Sequence, residues 1–238
     1  MSNSFIYIFN FVIGSIIGSH LLVIVQRFET ENFITDKSHC DNCQIPLTLL
    51  NQIPIFSFLR YQGKCFFCHA YIPIETFYCE ILGGLAFMPL NPLANQTSYF
   101  FIIFIFLISI FDYIDQSFPV QILIPLIAIV VFKIPYSTSN YTTIEWILIS
   151  FVILIFLIMN LKKKFGYGDT IIFIILIFYY NFYIAEYLFL LSSIFLIITH
   201  LITQNQKQYP FIPFIFLSII FYNFILKKSI RIRANRLF

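Results

Sequence analysis

Eight apolar runs succeed one another along this chain, at about 4–25, 77–90, 99–111, 118–132, 144–161, 170–180, 183–202 and 211–226. Together they hold three acids and neither lysine nor arginine. Runs of this kind constrain the fold severely. In lipid the backbone finds no hydrogen-bond partner outside itself, so only helices and closed barrels can span, and the strict in/out alternation of barrel strands is missing from these continuous Ile, Phe and Leu stretches. The chain is 60% hydrophobic and 11% charged with a mean hydropathy of +0.88, values that exclude a soluble globular protein. Its 32 phenylalanines would be liabilities in water and are ordinary surface in a bilayer. Several runs fall short of the ~20 residues a crossing helix needs and must borrow flanking residues.

The expected fold is therefore all-α and membrane-embedded: a polytopic bundle of about eight transmembrane helices with one small extramembrane insert. The first run lacks a basic preceding segment and a small-residue cleavage site, and reads as a retained span rather than a secretory signal. Three regions follow: residues 1–26 as the first transmembrane helix, 27–76 as a polar insert carrying four of the five cysteines, and 77–238 as the helical membrane domain.

Two aspartates stand where such a chain can least easily hold them. Asp112 ends the run at 99–111, and Asp169 lies in Gly166-Tyr167-Gly168-Asp169, just ahead of the run at 170–180. An ionisable group there is costly unless it is paired, wetted or used. Two spans separate the insert from Asp112 and two more separate Asp112 from Asp169, so all three features return to one side. Lys162, Lys163 and Lys164, with Arg27, Lys37, Arg60 and Lys64 of the insert, place that side in the cytoplasm by the positive-inside rule. The C-terminal Lys227, Lys228, Arg231, Arg233 and Arg236 disagree, because eight spans would leave them outside.

Cys40-Asp41-Asn42-Cys43 and Cys65-Phe66-Phe67-Cys68 are two C-x2-C pairs separated by 21 residues, close to the spacing at which two knuckles close on one zinc ion. Four thiolates leave no open coordination position, so the zinc would be structural, folding an insert too small and polar to build a core. Redox pairs or idle thiols are the alternatives. His39 and His69 flank the cysteines as alternative ligands, and Cys79 reads as a packed helix residue.

These residues carry a resemblance. The chain resembles the type IV prepilin leader peptidases, bacterial inner-membrane enzymes, over nearly its whole length. Gly18-Ser19 with Arg27 is similar to the family's opening span; Cys40, Cys43, Cys65 and Cys68 match its cysteine insert; and Glu80 matches the acid of its second span. Asp112, seven positions before Pro119, matches the first catalytic aspartate, Gly166-Tyr167-Gly168-Asp169 carries the second, and Ile212-Pro213-Phe214 is similar to a late proline turn. His20-Leu21-Leu22, Val120, Gln44 and Asn51-Gln52 depart from the family pattern, and none of them touches the aspartate pair.

The resemblance implies a membrane aspartic endopeptidase that cleaves leaders from prepilins or pseudopilins at the cytoplasmic side of the inner membrane. Its implied partners are those substrates and the lipid bilayer, with no nucleic acid. N-methylation of the new N-terminus with S-adenosylmethionine stays open. Independently of family, two neighbouring carboxylates share a proton, so that one deprotonates water while the other protonates a scissile carbonyl. Gly166 and Gly168 would let the backbone turn and admit a substrate strand. Asp115, three residues after Asp112, competes for its place, and Asp169 doubles as a helix N-cap for a helix starting at Thr170. Two other readings remain: a proton- or cation-coupled transporter using Asp112, Asp115 and Asp169, and a zinc-knuckle scaffold without catalysis.

Overall fold

The structure, a computed structural model, describes residues 3–28, 38–91, 96–137, 141–163, 165–204 and 209–234. Lys37, Lys164 and Arg236 lie outside the described residues. Apolar helices form where the runs require them: α1 (Asn3–Gln26), α3 (Ile74–Phe87), α4 (Gln96–Asp115), α5 (Leu123–Ser137), α6 (Thr143–Leu161), α7 (Tyr167–Tyr179), α8 (Phe182–Thr203) and α9 (Ile212–Ala234). The insert adds a 3-10 turn (Leu49–Gln52) and the five-residue α2 (Phe56–Arg60). Among the described residues there is no strand beyond two isolated bridges. Four helices are long and apolar enough to cross a membrane by themselves: α1 over Ser4–Gln26, α4, α6 and α8. The protein is thus an all-helical, multi-pass membrane chain, with the remaining apolar helices shorter than a full crossing.

The chain divides into two compact units, Met1–Ile110 with Asn223–Phe238, and Phe111–Tyr222. The first unit is organised by α1 packed on α3. A Cβ added to Gly14 would lie 2.3 Å from the Gly83 carbonyl oxygen, one on Gly83 would lie 2.3 Å from the Gly14 oxygen, and one on Gly18 would lie 2.3 Å from the Cys79 oxygen. The backbones touch because Gly14-x3-Gly18 faces Cys79-x3-Gly83, small residues at a spacing that lets membrane helices approach closely. Nearer the start of α1, Asn10 donates to the Leu90 carbonyl (2.6 Å) just beyond α3 and accepts from the Tyr99 hydroxyl of α4 (3.1 Å), so a buried amide is satisfied from two sides.

In the second unit α7 is the central helix, packed by α5, α6 and α8, and most of its side chains are buried, including Ile172, Phe173, Ile175, Leu176 and Ile177. At the C-terminal end of α7, the Tyr141 hydroxyl donates to the Ile177 carbonyl (3.3 Å) and accepts from the Phe182 amide (2.9 Å), closing the turn into α8. At its N-terminal end, Phe156, Phe165, Phe173, Phe189 and Phe211 form an aromatic cluster with ring centroids 4.6–6.3 Å apart. Edge-to-face pairs dominate it, the arrangement the ring quadrupole favours. This wall backs the segment that carries Asp169.

Candidate active site

Asp169 lies in the first turn of α7, where it is half-buried. The helix begins three residues earlier than the start expected at Thr170: Gly166 is the N-cap and Asp169 occupies the third helical position. Its carboxylate reaches back to the Gly166 amide, the acid half of a capping box. The N-cap expected of Asp169 is therefore corrected to this reach-back contact, because Gly166 supplies the extended residue that precedes the helix.

The glycines also act differently from the expectation. Gly166 has φ −78° and ψ 138°, a conformation any residue adopts. What excludes a side chain is space. A Cβ on Gly166 would lie 2.9 Å from Asp169 Oδ2, and one on Gly168 would lie 2.9 Å from the Phe118 ring. The glycine pair lets the carboxylate fold back on its own helix start and lets Phe118 close over it.

Asp112 is half-buried on the last turn of α4, and its Oδ2 accepts from the Ile212 amide at 3.0 Å. Ile212 opens α9, so this acid also sits at a helix N-terminus, where unpaired amides and the helix dipole favour a negative group. Asp112 and Asp169 lie within electrostatic reach of each other. Asp115, by contrast, is exposed at the end of α4.

Sequence reasoning missed Asn160. It is the penultimate residue of α6, at 2% exposure. Its Nδ2 donates to the Phe165 carbonyl (3.0 Å) and the Phe156 carbonyl (3.3 Å), and its Oδ1 accepts from the Thr170 hydroxyl at 2.9 Å. One buried amide thus fixes both sides of Gly166-Tyr167-Gly168-Asp169. The available signal was an asparagine closing an otherwise apolar helix, a position at which a polar group needs a reason.

In the insert the four cysteine sulfurs lie within 4.8 Å of one another, and no histidine joins them. The two pairs are built alike, 25 residues apart. The Cys40 amide donates to Ile45 and that of Cys65 to Ala70; Gln44 donates back to Cys40 and His69 to Cys65. Gln44 and His69 both take left-handed φ, 57° and 58°, and bridges His39–Pro46 and Lys64–Tyr71 close each loop. Four thiolates at ~2.3 Å from a tetrahedral ion would stand ~3.8 Å apart, and Cys40 and Cys68 are 3.8 Å apart. The donor set fits a metal such as zinc.

The electrostatics agree with that fit. The Ala70 amide and the Asn42 side-chain amide pull the Cys68 thiol down to about 6. At Cys43 the Ile45 amide pulls the same way, but lost hydration and the sulfurs of Cys68 and Cys40 outweigh it and push the thiol up to about 11. Crowded sulfurs resist sharing negative charge, and a dication removes that conflict.

Two contacts tie the insert to the helices. Arg27, at the end of α1, donates to Asp41 Oδ1 (2.6 Å) and to the His39 carbonyl (3.3 Å). Glu80, on α3 and 5% exposed, spends both oxygens internally: Oε1 accepts from the Ser19 hydroxyl (2.9 Å) and Oε2 from the Ile55 amide (2.6 Å). Ile55 adopts φ 62° and ψ −51°, and Phe56 donates to Pro54 at 2.5 Å. That is a γ-turn of the rare, strained hand, centred on a β-branched residue. The buried carboxylate holds it in place.

Residues 12–91 match the model of the Bacterial Peptidase A24 N-terminal domain. Over that stretch, about a third of its length, the chain is similar to this domain. It is 31% identical over 81 residues to a prepilin leader peptidase/N-methyltransferase of Myxococcus xanthus, a stretch covering 34% of this chain and 24% of that protein. It is 28% identical over 101 residues to a protein of the same name from Neisseria gonorrhoeae, covering 32% of this chain and 35% of the relative. A type 4 prepilin-like proteins leader peptide-processing enzyme of Escherichia coli matches at 29% over 94 residues, covering 32% and 35%. The chain thus spans a quarter to about a third of the length of the curated relatives it matches. No solved structure matches it. Glu80 and the four cysteines lie inside the matched domain; Asp112 and Asp169 lie beyond it. The comparisons lend the transporter reading no support.

Proposed function

We propose that the protein is a membrane aspartic endopeptidase that removes the leader from prepilins or pseudopilins, with Asp112 and Asp169 as the catalytic pair. The observation that supports this reading is that two acids 57 positions apart in sequence lie within electrostatic reach, each against the N-terminus of a different helix. In such a pair one carboxylate takes a proton from water, the other protonates the scissile carbonyl, and the proton belongs to the pair. Peptide hydrolysis then proceeds with no nucleophilic side chain. Gly166 and Gly168 let the Asp169 carboxylate fold back on its own helix start and let Phe118 pack over that turn.

In this reading residues 1–26 form the first membrane helix, 27–76 the cytoplasmic insert and 77–238 the peptidase domain. Lys162, Lys163 and the basic residues of the insert favour a site facing the cytoplasm. Cys40, Cys43, Cys65 and Cys68 hold a structural zinc ion that stabilises the insert. Glu80 supports the insert by holding Ile55 and Ser19. Two of the relatives are named N-methyltransferases as well, and N-methylation of the new N-terminus with S-adenosylmethionine is a second activity read out in the same assay.

Detergent-solubilised protein is incubated with a full-length prepilin, and the product is weighed by mass spectrometry. Cleavage after the leader is expected, and the product mass reports any added methyl group. Asp112→Asn and Asp169→Asn each keep the shape of the side chain, so both proteins should reach the membrane and fail to cut. Full activity in either one would overturn the assignment.

A further inference from the structure

Within the insert, the segment from Leu49 to Leu59 turns its apolar side chains outward. Leu49 is 85% and Leu50 70% exposed, and Ile53, Phe56 and Leu59 are exposed as well. The opposite side of the same segment is the packed one: Phe58 stacks on Phe77 of α3 at 5.0 Å, and Ser57 and Tyr61 line a cavity of about 300 Å³ beside the knuckles. The segment is thus anchored through Phe58 and Ser57 and leaves Leu49, Leu50, Ile53, Phe56 and Leu59 bare. Exposed apolar clusters of this kind mark a contact surface.

Its depth identifies the occupant. The Ile55 amide is bonded to Glu80, which is bonded in turn to Ser19. Glu80 is six residues inside α3 and Ser19 seven residues from the end of α1, so at 1.5 Å per residue Ile55 sits level with points ~9–10 Å inside both helices. Phe58 on Phe77 repeats the registration. The segment therefore runs down beside the spanning helix α1 and its partner α3 and does not stand above them. Charge points the same way. From Asn42 to Ile74 the chain has no acid, and Arg60 and Lys64 follow the apolar cluster, which suits the anionic headgroups of a bacterial leaflet.

We propose that residues 49–59 dip into the cytosolic leaflet as a lipid-embedded elbow, with Leu49, Leu50, Ile53, Phe56 and Leu59 among the acyl chains and Arg60 and Lys64 at the phosphates. The elbow sets the height of the cysteine insert above the bilayer. It rests on the membrane placement of α1 and α3 and does not depend on the peptidase reading.

The test uses the full chain in nanodiscs of phosphatidylcholine and phosphatidylglycerol. Trp146 is the sole tryptophan, so Trp146→Phe gives a dark background for Leu50→Trp. Metal content, measured on each variant, reports that the insert is intact. The expected result is a blue-shifted emission that is quenched more by lipid brominated near the headgroup end of the acyl chain than by lipid brominated near its methyl end. Iodide in the buffer leaves it unquenched. Emission that iodide quenches and brominated lipid does not would place the segment in water and overturn the proposal. Emission insensitive to both would mean a protein partner or a second copy covers it, which also overturns it. Should Leu50→Trp lose its metal, Leu59→Trp on α2 carries the same readout with the same decision.

Discussion

The cysteine insert and the aspartate pair are assembled by opposite means. In the insert each loop is closed by its own short-range hydrogen bonds, repeated at an offset of 25 residues, and the four sulfurs converge because two local knuckles face each other. The aspartates converge because three helix ends do: the C-terminal turn of α4 and the first turns of α7 and α9. One site is written by spacing within a few residues, the other by packing over a hundred. The first is accordingly easy to recognise in a sequence and the second is not. The family match stops at residue 91, between the two.

If the insert owes its structure to the ion, Cys65→Ser should have the largest effect. Structural zinc contributes ~10–16 kcal/mol of apparent binding energy in small domains. The variant should lose its metal by elemental analysis and become sensitive to proteolysis between residues 27 and 76, while the membrane helices stay intact. A variant that keeps one equivalent of metal and resists protease would show that the insert folds without the full sulfur set.

The aspartates should behave as one unit. Each of Asp112→Asn and Asp169→Asn is expected to slow prepilin cleavage by roughly 10²–10⁴-fold, the range of a lost general acid or base, and the double variant should be no slower than the worse single one. Losses that multiply would mean that the two acids act separately. Metal content should be unchanged in all three, which keeps the two regions distinct.

Gly83→Ala tests the helix pair that carries the insert. The new methyl must displace the Gly14 carbonyl, and overpacking of this kind costs about 1–3 kcal/mol. The thermal midpoint of the detergent-solubilised protein should fall, and α1 should become more accessible to protease.

Asn160→Leu is the finest probe. It leaves the Phe165 carbonyl and the Thr170 hydroxyl without their buried partner, worth about 1–3 kcal/mol. The turn before Asp169 should loosen, with kcat falling while KM for prepilin holds. An unchanged kcat would limit Asn160 to packing.

The membrane class and the positions of the apolar helices were legible because lipid imposes a one-dimensional signal. The run read at 144–161 is α6 at Thr143–Leu161, and the run read at 183–202 is α8 at Phe182–Thr203. The count of about eight apolar helices follows, although only four are long enough to cross unaided. The cysteine group was legible from its spacing for the same local reason. Gly14-x3-Gly18 was a readable helix-contact signal as well. Glu80 is different. Nothing near it in sequence reveals that its partners are Ser19 and a strained Ile55, because that clamp exists only once α1, α3 and the insert have met. The third-position role of Asp169 was obscured by one residue pair, since the helix starts at Tyr167 and glycines rarely announce a helix start.

Both acids finish the start of a helix, Asp169 on α7 and Asp112 on α9. A carboxylate in that post cannot change its charge without altering how firmly its helix begins. A proton passed between the two would therefore tighten one helix start as it slackened the other, so that chemistry at the pair and movement of the surrounding bundle share a single coordinate.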